Sequence, residues 1–171
     1  MKKILVIVVL ALVAVTPFTV MAQDSPDTVV LTWPSQPDSL YPDFAVTATA
    51  GYVLTNLYSS LVAVDLEGNI VGDLATDWEV SEDQTTWTFN LRDDVLWHDG
   101  TPFTAADVKF TFEVSADPEY TGGAFDGSIL GAAEKQSGEA DEVAGVQVID
   151  DFTVSITTTE PNALVLDTFA Q

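Results

Sequence analysis

A chain of 171 residues is long enough for one domain with an adequate core, so length alone excludes little. The formal net charge is -22, from 27 acidic and 5 basic residues, a balance that repels a phosphate backbone and excludes nucleic acid as a partner. The absence of cysteine excludes disulfides, a thiol nucleophile and a lipid-modified N-terminal cysteine.

Lys2 and Lys3 precede an apolar run from Ile4 to Val15, which Thr16 and Pro17 break ahead of the small-residue site Val20-Met21-Ala22. This is the order of a secretory signal peptide, and the run is shorter than the roughly 20 residues a membrane span needs. Residues 1–22 are expected to be removed, leaving a mature chain, 23–171, outside the cell or in the periplasm. Beyond residue 22 the basic residues are Arg92, Lys109 and Lys135. The carboxylates are scattered through turns rather than gathered in one block, which reads as a solubility feature.

Thr28 to Trp33 alternates like a strand, and Pro34, Pro37 and Pro42 then hold Ser39-Leu40-Tyr41 in a loop. From Ala50, the spacing of Leu54, Leu57 and Leu61 predicts a helix ending near 59–61. Val62 to Val64 and Ile70 to Val71 flank Asp65-Leu66-Glu67-Gly68-Asn69, which predicts a hairpin with Gly68 at positive φ. A calcium loop would place its glycine differently and add a distal glutamate. The clearest strand is Thr85 to Leu91, with Trp87, Phe89 and Leu91 on one face and Thr86, Thr88 and Asn90 on the other.

Asp99-Gly100 marks a turn, and Thr104 with Asp107 forms a capping-box pattern at the head of a helix that buries Val108 and Phe112. Gly122 to Gly138 has no firm period and reads as a long excursion. Val146 and Val148, then Phe152, Val154 and Ile156, flank Asp150-Asp151 as a second hairpin. Pro161 suits the first turn of a further helix that carries Leu164, Val165 and Phe169.

Little in this inventory supports catalysis. His98 is the single histidine, set in the turn Trp97-His98-Asp99-Gly100, where its role reads as structural. No serine sits in a nucleophile elbow, and the adjacent acid pairs Asp93-Asp94 and Asp150-Asp151 point apart instead of facing each other across a cleft. From the residues alone, an exported β-rich interaction or structural module fits as well as a binding protein does.

The segment Leu74-Ala75-Thr76-Asp77-Trp78-Glu79-Val80-Ser81-Glu82-Asp83, followed by Trp87-Thr88-Phe89-Asn90-Leu91-Arg92, resembles the family 5 extracellular solute-binding proteins. Trp97-His98-Asp99-Gly100-Thr101-Pro102-Phe103-Thr104-Ala105-Ala106-Asp107-Val108 is similar to that family's aromatic-x-Asp-Gly turn and Thr-Ala-x-Asp-Val helix. Ser39-Leu40-Tyr41-Pro42 and the hairpin from Val146 to Ile156 fit the same order.

The resemblance implies an α/β, type II periplasmic-binding fold, of which this chain would hold the N-terminal part of the first lobe, a mixed sheet with flanking helices and hairpins. It implies the binding component of an ABC importer, no enzyme and no cofactor, with a peptide or similar solute as ligand. The permease subunits would be its partners and its one link to the membrane. Family members carry peptides, nickel complexes, haem or oligosaccharides. The implied ligand contacts are Val46, Thr47 and Ala48 on the loop after the Leu-x-Pro segment, and Phe125 beyond the signature helix. Val46 stands where peptide-binding members can place a carboxylate. Family members are several times longer, so the second lobe is expected after residue 171. Trp97, Asp99, Gly100 and Thr104 are expected to serve the fold.

Overall fold

The computed structural model describes residues 30–122, 127–162 and 164–170. The signal-peptide region lies outside them. The chain divides into two compact units, Met1–Thr32 and Trp33–Gln171. Of the first unit, 30–32 are described and carry no regular structure, with Val30 and Leu31 exposed. The strand expected over Thr28 to Trp33 is therefore not formed in its described part, because no described strand runs beside it to complete a ladder. Thr28 and Val29 lie outside the described residues.

In the second unit, Pro42–Phe44 makes one 3-10 turn and α1 follows at Ala48–Leu54. The helix is shorter than the leucine spacing predicts. Thr55 Oγ1 and Asn56 Nδ2 both donate to the Tyr52 carbonyl, at 3.1 and 2.8 Å, and such local side-chain bonds compete with helix continuation. Leu54 and Leu61 are still buried, whereas Leu57 is exposed.

Strands β1 (Val62–Val64) and β2 (Ile70–Gly72) form the predicted hairpin. Gly68 adopts φ +87°, and the Asp65 carboxylate accepts the Glu67 and Asn69 amide protons at 3.0 and 2.8 Å. This is a self-contained Asx turn.

The main sheet comprises β3 (Ala75–Val80), β4 (Thr86–Leu91), β5 (Val146–Asp150) and β6 (Thr153–Thr157), in the order β3-β4-β6-β5. The expectation was a mixed sheet, but every described pairing is antiparallel. The short connections of β1–β2, β3–β4 and β5–β6 require this of those pairs. The turn between β5 and β6 is shifted by one residue from the prediction. Asp150 pairs with Thr153 across a bulge after Val148, leaving Asp151 and Phe152 at the tip. β3 had no signal of its own: as an edge strand it buries Ala75 and half-buries Trp78, so no alternation marks it.

Helix α2 (Ala105–Ser115) packs across β5 and β6. Its start is doubly held. The Asp107 carboxylate accepts the Thr104 amide proton at 2.8 Å, completing the predicted box, and the Ala105 amide donates to the Asp151 carbonyl at 2.8 Å. Two of the amides that a helix start leaves without an intrahelical partner are thus paired. Within the stretch read as an excursion lies α3 (Ala132–Gln136). It begins at Gly131, whose φ is +82° and where a Cβ would come within 2.6 Å of the Ala144 nitrogen.

The last helix, α4 (Val165–Thr168), begins well after Pro161 rather than at it. Asn162 Oδ1 accepts the Leu164 amide proton at 2.9 Å, and this Asx turn sets the entry.

The core lies between the buried face of β4 and β6 and the helices α2 and α4. Phe89, Val154 and Ile156 are fully buried. The Phe169 ring meets Phe89 edge-on at 5.8 Å and Phe112 at 6.0 Å, joining sheet, α2 and the end of α4. Phe89→Ala is expected to cost about 3–5 kcal/mol, and Thr88→Ala less than about 1 kcal/mol. Denaturant melts of the folded protein check this, and equal losses would mean the two faces of β4 were misassigned.

Candidate functional site

The loop between Trp33 and α1 is shaped by its own polar side chains. Tyr41 donates its amide proton to Ser39 Oγ at 2.9 Å, and Pro42 occupies the first turn of the 3-10 segment. The Asp38 carboxylate then reaches forward. It accepts the Val46 amide proton at 3.0 Å, the Thr47 amide proton at 3.3 Å and the Thr47 hydroxyl at 2.6 Å. Thr47 Oγ1 also accepts the Ala50 amide proton at 3.3 Å, so Thr47 is the N-cap of α1 and Ala48 its first residue.

This clamp presents Val46 to solvent with 89% of its surface exposed. Thr47 and Ala48 are exposed beside it. Aromatic rings surround the segment in sequence: Trp33 stacks on Tyr52 at 4.7 Å with planes 4° apart, and Tyr41 lies 5.4 Å from Phe44. Ser35 and Thr49 share a hydroxyl hydrogen bond of 2.8 Å, and Tyr58 donates to the Leu40 carbonyl at 3.2 Å. Both contacts tie the loop to the two ends of α1.

The second predicted contact, Phe125, lies outside the described residues. The segment that leads to it is described as far as 122, and there Tyr120 meets Phe44 with ring centroids 6.3 Å apart. The fold therefore brings the loop ahead of Val46 together with the stretch beyond α2. Tyr120 also lines a cavity of about 390 Å³ with Phe110, Glu113, Asp117 and Lys135 among its walls.

The three cations among the described residues are each committed to a carboxylate. Arg92 grips Asp94 through two bonds of 2.9 and 3.1 Å, Lys109 meets Glu142 at 2.7 Å, and Lys135 lies 3.5 Å from Glu113. His98 sits edge-on to Tyr58 at 6.3 Å, beside the Trp97–Phe103 ring pair. It lines a small cavity of about 190 Å³ walled mainly by Leu57, Leu74, Val95 and Phe103.

Sequence reasoning named Val46, Thr47 and Ala48 but not Asp38, Trp33, Tyr52, Phe44 or Tyr120. Asp38 offered no local signal, because its partners lie eight and nine residues away.

The model for bacterial extracellular solute-binding proteins, family 5 middle, matches residues 69–171. The chain belongs to this family. A Brucella ovis relative bearing the name of an ABC transporter peptide-binding protein is 42% identical over 127 residues, covering 72% of this chain and 21% of its own length. The periplasmic oligopeptide-binding protein of Escherichia coli is 33% identical over 132 residues, covering 74% and 24%. Among solved structures, the E. coli murein tripeptide binding protein superposes with a TM-score of 0.70 at 31% identity, over 78% of this chain and 27% of the other. The chain thus spans about a fifth to a quarter of the length of the relatives it matches. Its fold is that of part of a periplasmic peptide-binding protein, and the family binds solutes and is not an enzyme family. The named E. coli relatives are periplasmic, and no described helix is long and apolar enough to cross a membrane.

Hydrogen bonds from the Thr47 hydroxyl, then from the Val46 amide, hold the Asp38 carboxyl down at a pKa of about 2. Because the folded value lies below the unfolded one, the clamp's contribution is complete above about pH 4 and disappears as pH falls through the folded pKa. The amide shifts of Val46 and Thr47, followed by NMR, should titrate with a midpoint near pH 2. A midpoint near pH 4, the ordinary carboxylate range, would show the clamp to be absent.

Proposed function

We propose that this chain is the N-terminal part of the first lobe of an extracellular solute-binding protein, and that the protein containing it captures peptides and passes them to the permease subunits of an ABC importer. In this reading residues 1–22 are a cleaved leader, 23–171 are the opening portion of the binding domain, and the protein meets the membrane only through the permease. The observation that carries it is the convergence of the Val46 loop with the segment beyond α2, through Phe44 and Tyr120, in a chain whose relatives are named for peptide binding.

Val46 is exposed on a loop held by the Asp38 hydrogen bonds, so it can touch a ligand without being needed by the core. The neighbouring aromatic faces suit apolar side chains and peptide planes, and the loop's carbonyls can accept peptide amide protons. Burying a ligand requires a second wall opposite this loop, which the longer protein is expected to supply after residue 171.

The test is calorimetric titration of the full-length gene product with short peptides, beginning with trialanine. The wild-type protein should bind saturably, and Val46→Trp, which fills space in front of the loop, should weaken binding by about tenfold or more without lowering the melting temperature. Absence of peptide binding by the full-length product, or indifference to Val46→Trp, would overturn this assignment.

A further inference from the structure

We propose that Asp38 is the positioning residue of the solute-contact loop and biases it against acidic ligands, an inference that rests on the ligand role of Val46 to Ala48 proposed above. Two observations carry it. The first is that Asp38 engages the donors of positions 46 and 47: the Val46 and Thr47 amides and the Thr47 hydroxyl all end on its carboxylate. With these three donors engaged and the Thr47 carbonyl accepting the Gly51 amide proton at 3.1 Å, position 46 can offer a ligand its carbonyl oxygen and an apolar side chain, and neither 46 nor 47 offers an amide proton for a carboxylate.

The second observation is electrostatic. The Asp38 carboxylate sits at the surface, hydrogen-bonded to the ligand loop itself, and the three described cations are all engaged with other carboxylates. Nothing described near the loop is free to offset its charge. A ligand group beside Val46 therefore meets acceptors and a fixed negative charge. A neutral or cationic group is favoured there and an acidic one is repelled.

Asp65 supplies an internal control, because it clamps the turn between β1 and β2 in the same manner, accepting the Glu67 and Asn69 amide protons, within a different part of the fold. If Asp38 merely stabilised a turn, substituting either residue would have the same kind of effect.

The experiment uses the full-length protein and its Asp38→Asn and Asp65→Asn variants, titrated with Ala-Ala-Ala, Ala-Lys-Ala and Ala-Glu-Ala. Asp38→Asn should weaken Ala-Ala-Ala binding by about tenfold, the scale of losing charged hydrogen bonds that hold a contact loop. It should also shift the affinity ratio of the lysine to the glutamate peptide by about threefold toward the acidic one at low salt, a shift that fades as salt is raised. Asp65→Asn should change neither affinity nor ratio. Unchanged binding in Asp38→Asn, or equal weakening of all three peptides with no shift in the ratio, would overturn the proposal while leaving peptide binding intact. Failure of the wild-type protein to bind any of the three would overturn it together with the reading on which it rests.

Discussion

The meeting of Phe89, Phe112 and Phe169 is the contact on which the rest of this structure depends. Phe89 comes from the centre of the sheet, Phe112 from α2 and Phe169 from the end of α4, and the Phe169 ring meets each of the other two edge to face in the buried core. Edge-to-face rings add to their area burial because the positive edge of one faces the negative face of another. The Phe169 carbonyl also accepts the Val62 amide proton at 3.3 Å, so the same residue anchors the first hairpin. Sheet, helices and hairpin are thus fixed by one small group of side chains. The candidate binding loop, which contributes little to the core, is held on that platform by α1 and by Phe44 against Tyr120.

The acidity of the chain takes on a structural meaning beside that core. Asp38, Asp65, Asp83 and Asp99 each turn back onto amide protons of their own loop, and each carboxyl is held below its ordinary range, first by the side chains of Thr47, Asn69 and Ser81 at Asp38, Asp65 and Asp83 and by the Thr101 amide at Asp99, with the other loop donors adding to this. At the start of α2 the Asp107 carboxylate likewise accepts a backbone amide proton, that of Thr104. Because the folded pKa values of Asp38, Asp65, Asp83 and Asp99 are depressed, the turns these four hold are fully supported above about pH 4 and lose that support only in stronger acid. Many of the charges that make the surface hydrophilic therefore also satisfy backbone groups that would otherwise depend on water. Asp38 differs from the rest in what it holds: the other turns connect strands or begin a helix, and this one presents Val46.

Elements with a strong local pattern were legible in the sequence. The alternation of Trp87, Phe89 and Leu91 marks β4 because one of its faces is buried, and Thr104 with Asp107 marks α2 because a capping box is a contact between near neighbours. The elements that were missed or misplaced depend on a neighbouring strand or on side-chain bonds to the backbone that hydrophobic spacing does not show. β3 is a strand because β4 runs alongside it, and its own residues carry no period. The leucine spacing after Ala50 runs past the helix, since Thr55 and Asn56 divert the Tyr52 carbonyl and Leu61 is buried from a different segment. Pro161 suggested a helix start that Asn162 supplies instead. For the candidate site, the family resemblance named Val46 to Ala48 and Phe125, whose ligand role is a proposal, while the Asp38 clamp and the Phe44–Tyr120 contact join residues too far apart in sequence to leave a local pattern.

That a solute meets this lobe at the Val46 loop is the central claim, and side-chain methyl NMR of the full-length protein tests it at the atoms concerned. On saturation with a bound peptide, the methyl signals of Val46 and Ala48 should shift, while those of Val64 and Val71, which belong to the β1–β2 hairpin, stay in place. Shifts confined to the hairpin, with Val46 and Ala48 unmoved under saturating peptide, would contradict the account.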